Sequence, residues 1–130
     1  MKISNTHSSL MAAAGVIGIL VVSIAHARSP AKQGDPAHGK TLYQSCEACH
    51  SIEDNDVGPK HRGVVGRKAG SVAGYVYSPA LKASGITWDE NTLDTWLVNP
   101  SALVPGTKMF YKIDDPQARA DIIAYLKEQK

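Results

Sequence analysis

The sequence predicts an all-α chain, about four to five short helices joined by long ordered loops. Three observations carry that expectation. Asp35-Pro36, Ser78-Pro79 and Asp115-Pro116 each pair a capping side chain with a proline preset for the first helical turn. Apolar residues recur at helical spacing in Leu93, Trp96 and Leu97, and again in Ile122, Ile123, Tyr125 and Leu126. No stretch shows the strict alternation of a half-buried strand, and no internal repeat or low-complexity tract is present.

The first 27 residues read as a secretory leader. Lys2 and the free amine form a short positive start, and Leu10 to Ile24 is apolar except for Ser23. Ala25-His26-Ala27 fits a small-X-small cleavage site, placing the mature start near Arg28. An uncleaved anchor is the alternative, but a 15-residue run falls short of the ~20 apolar residues a membrane span needs.

Residues 28–130 form one domain. The first helix starts at Asp35-Pro36 and runs through Gly39, Leu42 and Tyr43 to Cys46. Gly39 and Tyr43 share a face, and a glycine there suggests that another backbone passes close by. Residues 51–74 have no helical period and are punctuated by Gly58-Pro59, Gly63, Gly66, Gly70 and Gly74. A loop that long in a small domain needs something to organise it. Ser78-Pro79 opens a short helix that ends near Ser84-Gly85. Asp89-Glu90 gives an acidic start to the next, which Asn99-Pro100 stops. Residues 101–113 are expected to be loop again, before the last helix from Asp115-Pro116.

The chemistry is concentrated in Cys46-Glu47-Ala48-Cys49-His50, which contains both cysteines of the chain. Two thiols three residues apart lie on nearly one face of a helix, where each can add to one vinyl group of a porphyrin. The adjacent His50 can then reach the iron from one side. Three other readings compete. A zinc site needs about four ligands, and the chain has no second cysteine pair, only His38, His50 and His61 without finger spacing. A redox dithiol usually follows a strand, and nothing before Cys46 reads as one. A structural disulfide is disfavoured by the tight spacing. The immediate histidine and the export signal both favour covalently attached haem.

Composition agrees. The mature chain has a formal charge near +1, without the basic excess of a nucleic-acid binder. It has one phenylalanine, with 11 glycines and 7 prolines in the full sequence, so its own apolar core is thin. A haem would supply the missing apolar body.

The other side of the iron decides what a haem does. Met109 is the one methionine of the mature chain and sits in a Pro/Gly loop 59 residues after His50. Loops on a scaffold commonly present ligands, whereas a core-filling thioether is the plainer alternative. His38 and His61 are rival ligands, read here as solvated surface residues. A thioether would close the sixth site and raise the potential, which suits electron transfer.

The stretch from about Gly34 to Lys127 resembles the class I c-type cytochromes, the small soluble group that includes mitochondrial cytochrome c and its bacterial relatives. The resemblance rests on Cys46 to His50, Gly58-Pro59, Gly66-Arg67-Lys68-Ala69-Gly70 and Tyr77-Ser78-Pro79-Ala80-Leu81. It continues through Gly85-Ile86-Thr87-Trp88, Asn99-Pro100, Pro105-Gly106-Thr107-Lys108-Met109 and Ile123-Ala124-Tyr125-Leu126. It implies the class I cytochrome c fold around one covalent haem c, with thioethers at Cys46 and Cys49 and axial ligands His50 and Met109. The Pro59 carbonyl would accept from His50 and fix its tautomer. Arg67, Tyr77, Ser78 and Trp88 would sit around the haem propionates, where buried carboxylates need donors. Gly39, Tyr43, Tyr125 and Leu126 would join the first and last helices. Two positions depart from the commonest pattern: Trp96 stands where a tyrosine usually bonds near the methionine sulfur, and Leu81 where an asparagine usually joins a buried water network.

The function implied is that of a soluble monomeric one-electron carrier in the periplasm, with no catalytic residues and no small-molecule substrate. Donor and acceptor would be membrane or soluble redox complexes: a cytochrome bc complex, a terminal oxidase, a reaction centre or periplasmic enzymes. Lys40, Lys60, Lys68, Lys82, Lys108 and Lys112 are candidates to meet acidic partner surfaces. A haem peroxidase or a gas sensor would instead require an open sixth site.

Overall fold

The computed structural model describes residues 33–130, so the expected leader lies outside the described residues. Among the described residues, five helices follow in order: α1 Pro36–Tyr43, α2 Pro79–Ala83, α3 Glu90–Val98, α4 Pro100–Leu103 and α5 Pro116–Glu128. Among the described residues the only pairing of extended chain is one isolated antiparallel bridge, Lys68 with Thr87. The fold is all-α, as the capping pattern and helical spacing predict.

Each predicted start is built as its residues dictate. The Asp35 carboxylate accepts from the Ala37 and His38 amides, and Ser78 Oγ accepts from the Leu81 amide at 3.2 Å. Asp89 and Thr92 form a reciprocal capping box, at 2.7 and 2.8 Å. One expectation needs correction. Asn99-Pro100 does stop α3, but it also opens α4 within the stretch expected to be loop. The Asn99 side chain accepts from the Ala102 amide, and Pro100 occupies the first turn.

The scaffold is the crossing of α1 and α5. A Cβ on Gly39 would overlap the Asp121 backbone carbonyl, so the two backbones touch where the glycine stands. Tyr43, Ile122, Ile123 and Leu126 extend the contact into the core, which Val64, Trp88, Leu93, Trp96, Leu97 and Val104 complete. Asp121 locks the crossing. Its buried carboxylate accepts from the Asp35 amide at 2.8 Å, from Gln117 Nε2 at 2.8 Å, and pairs with His38 Nδ1 at 2.7 Å. The Asp35 amide, foremost, and the His38 and Gln117 bonds hold this carboxyl below the ordinary carboxylate range, against the opposing effect of burial.

A second lock ties the loop after α4 to the helices. Arg119, buried on α5, donates from Nε to Asp94 on α3 at 2.7 Å. Its Nη1 donates to the carbonyls of Ile113 and Asp114, at 2.8 and 2.9 Å. The Ile113 amide in turn donates to the Leu97 carbonyl at 2.9 Å. Residues 104–115 are thereby pinned to α3 and α5 at their far end.

Candidate cofactor site

The cysteines lie just past α1, in a run of tight turns and not in the helix itself. The amides of Ser45, Cys46, Glu47 and Cys49 each bond the carbonyl three residues back. The turn still advances the two cysteines together, because the Cys49 and His50 amides both converge on the Cys46 carbonyl, at 3.1 and 2.9 Å. Cys46 is half-buried, Cys49 is exposed and both are free. Burial pushes the Cys46 thiol above its ordinary value, the opposite of the activated thiolate that a redox dithiol needs.

His50 is held on three sides. Its Nδ1 lies 2.8 Å from the Pro59 carbonyl oxygen, which can only accept. The ring proton therefore sits on Nδ1, and Nε2 keeps its lone pair for a ligand. Gly58 packs against the imidazole so closely that a Cβ there would overlap the ring. The third side is His61, whose ring stacks on that of His50 with centroids 4.0 Å apart and planes 20° apart. Burial lowers the His50 imidazole below its ordinary value, with the Pro59 bond opposing, so burial favours the neutral, ligand-competent form.

Met109 comes from the pinned loop between α4 and α5. Its sulfur accepts from Trp96 Nε1 at 3.1 Å. The Thr107 hydroxyl, on a buried residue, accepts from the Met109 amide at 3.4 Å.

Cys46, Cys49, His50 and Met109 all lie on the wall of one cavity of about 790 Å³. Its volume falls within the roughly 300–1,000 Å³ of cofactor sites. Tyr43, Val64, Leu93, Leu97, Ile122 and Leu126 give it an apolar lining. The donor set, two thiols, a lone-pair imidazole and a thioether around an apolar slot, fits a covalently held haem. Pro59, Arg67, Tyr77, Ser78, Trp88 and Trp96 lie on the same wall. Arg67 also staples the loop, donating to the Lys60 carbonyl at 2.8 Å and the Arg62 carbonyl at 2.7 Å. Leu81 lines the cavity as an apolar residue. Val57, Phe110 and Tyr111 are exposed at the cavity margin.

Two histidines differ from the sequence reading. His38 is more than half exposed but bound to the buried Asp121 carboxylate. His61 is not solvated surface. It lines the cavity, stacks on His50 and meets the Tyr43 hydroxyl at 2.9 Å through Nδ1. Burial, then the neighbouring His50 and Arg67, push its imidazole well below the ordinary value. The available signal was its position two residues after Pro59, whose carbonyl bonds His50.

Among the described residues, no three His, Cys, Asp or Glu side chains gather into a metal-ligand group. No helix among them is long and apolar enough to cross a membrane.

Comparison with known proteins places this geometry. The family model described as cytochrome c matches residues 36–130. The chain is 51% identical over 100 residues to cytochrome c2 of Rhodomicrobium vannielii, covering 74% of this chain and 80% of the relative. It is 44% identical over 102 residues to cytochrome c of Arabidopsis thaliana, covering 75% and 91%. Among solved structures it is similar to cytochrome cH from Methylobacterium extorquens, at 54% identity and a TM-score of 0.71, covering 73% of this chain and 99% of that one.

Proposed function

This chain belongs to the cytochrome c family, an electron-transfer protein with one covalently bound haem c and not an enzyme, and from that premise we propose how its residues hold and use the cofactor. Cys46 and Cys49 would form the two thioethers. His50 Nε2 and the Met109 sulfur would hold the iron. The single observation behind this reading is that four side chains spread from residue 46 to residue 109 share one cavity wall. When bound, the haem supplies a one-electron couple between two oxidation states of its iron.

The chain's own residues define that couple. Pro59 keeps the His50 proton on Nδ1 and so keeps Nε2 free. Trp96 and the Arg119 lock hold Met109 against the wall, where its sulfur would fill the iron's remaining position and leave oxygen or peroxide no open site. Arg67, Tyr77, Ser78 and Trp88, on the same cavity wall, would surround the propionates. The apolar lining excludes water and favours the less charged, reduced state.

Exposed lysines and apolar residues frame the docking face. Lys108 lies on the cavity wall beside exposed Phe110 and Tyr111, with Lys112 following. The partners are redox complexes with acidic surfaces, among them a cytochrome bc complex, a terminal oxidase, a reaction centre or periplasmic enzymes. Residues 1–27 serve as the export leader, and the mature carrier works in the periplasm as a soluble monomer.

Carbon monoxide tests the ligand set. The reduced protein at neutral pH should resist it, whereas Met109→Ala should bind it readily and show a lower reduction potential. Rapid, tight binding by the unaltered protein would sink the His50–Met109 assignment.

A further inference from the structure

His61 is no part of the proposed ligand set, yet its imidazole stacks on that of His50 along nearly parallel planes. His61 is fixed there from both ends. Its amide donates to the Ser51 carbonyl at 2.9 Å, one residue past His50, and its Nδ1 meets the hydroxyl of fully buried Tyr43 at 2.9 Å. Tyr43 in turn packs on Tyr125, with ring centroids 5.2 Å apart, in the α1–α5 crossing. An apolar side chain would fill the same volume without the hydroxyl bond. A polar ring tied to the scaffold and laid flat on His50 does more than fill space.

We propose that His61 is a positioning residue for electron transfer: through its stack on His50 it sets the orientation of the axial imidazole and lowers the reduction potential of the iron. The inference rests on His50 being the iron ligand. Oxidation of the iron draws charge from the His50 ring and leaves that ring more positive. The π face of a neutral imidazole attracts a positive neighbour, as it does a cation. A polar ring also solvates the extra charge better than an aliphatic side chain does. Both effects favour the oxidised state. The Tyr43 hydroxyl holds the His61 ring in the stacked plane, so the axial imidazole is referenced to the helix crossing.

The test uses the intact haem protein and reads the reduction potential together with the electron paramagnetic resonance of the ferric state, whose anisotropy follows axial-ring orientation. His61→Leu should raise the potential and change the anisotropy. His61→Phe keeps a π face without the hydroxyl bond and should restore most of the potential. Tyr43→Phe should shift both readouts in the direction of His61→Leu, by less. An unchanged potential in His61→Leu, or a Phe variant that behaves like Leu, would overturn the proposal. If His61→Leu fails to assemble with haem, unchanged readouts in Tyr43→Phe would overturn it equally. A wild-type spectrum without low-spin nitrogen–thioether iron overturns the ligand assignment itself. Silence of the variants with that spectrum intact overturns only the stack.

Discussion

The Trp96 indole donates to the Met109 sulfur at 3.1 Å, joining α3 to the loop that precedes α5. Sulfur is a weak acceptor, yet the contact orients the thioether and draws electron density from it. With Met109 as the proposed iron ligand, less density on its sulfur would disfavour the oxidised iron. Trp96→Phe should therefore lower the reduction potential while the far-red thioether-to-iron absorption persists. It should also cost about 1–2 kcal/mol of stability, from one buried hydrogen bond and part of a buried ring. Redox titration and denaturant melts read the two effects separately. A potential at or above wild type would refute the donor role of Trp96.

Gly39 marks the point where α1 and α5 meet backbone to backbone. Gly39→Ala places a methyl on the Asp121 carbonyl, and neither helix can retreat without breaking the Asp121 cluster. The loss should reach at least the ~1–3 kcal/mol of an overpacked core. Alanine normally gains up to ~1 kcal/mol over glycine in a helix, so even the sign is informative. A denaturation midpoint equal to wild type would mean the helices do not cross this closely.

Asp121 predicts the acid limb of stability. Its folded-state carboxyl titrates below the ordinary carboxylate value, chiefly through the Asp35 amide and also through His38 and Gln117. The stabilisation is therefore complete above the unfolded value of about 3.9. It is lost as pH falls from there through the lower folded value. Asp121→Asn should be less stable than wild type at neutral pH, with the difference shrinking under acid. Urea midpoints across a pH series measure it. A gap between the two proteins that widens below pH about 4 would contradict the assignment.

Lysine-guided docking makes a salt prediction. At ~0.1 M ionic strength charges are screened beyond about 10 Å. Electron-transfer rates with an acidic redox partner should fall as salt rises, and Lys108→Gln should reduce both the rate and its salt slope. Residues 28–130 carry a formal charge near +1, so the slope should be shallow. A rate flat across the salt series would remove the lysines from the docking face.

What the sequence determined alone was local. Two thiols three residues apart beside a histidine announce their chemistry within five residues. Asp-Pro and Ser-Pro pairs announce helix starts because a cap and a preset φ act within one turn. Even Asn99-Pro100 was legible as a break, though not as the start of α4, since the same two residues serve both purposes. The tertiary structure decided everything that depends on distant segments arriving together. Met109 could be named as the lone methionine of residues 28–130, but only the fold brings it to Trp96 and onto the wall that carries His50. His38 looked like a solvated surface residue until the crossing of α1 and α5 buried Asp121, 83 residues away, and bound the two together. His61 looked solvated because neither spacing nor composition records that the loop turning back at Pro59 lays its ring on His50. Hydrogen-bond capping and covalent spacing are properties of neighbours in sequence. Stacking, burial and backbone contact are properties of the chain's path, and that path exists only once the core has packed.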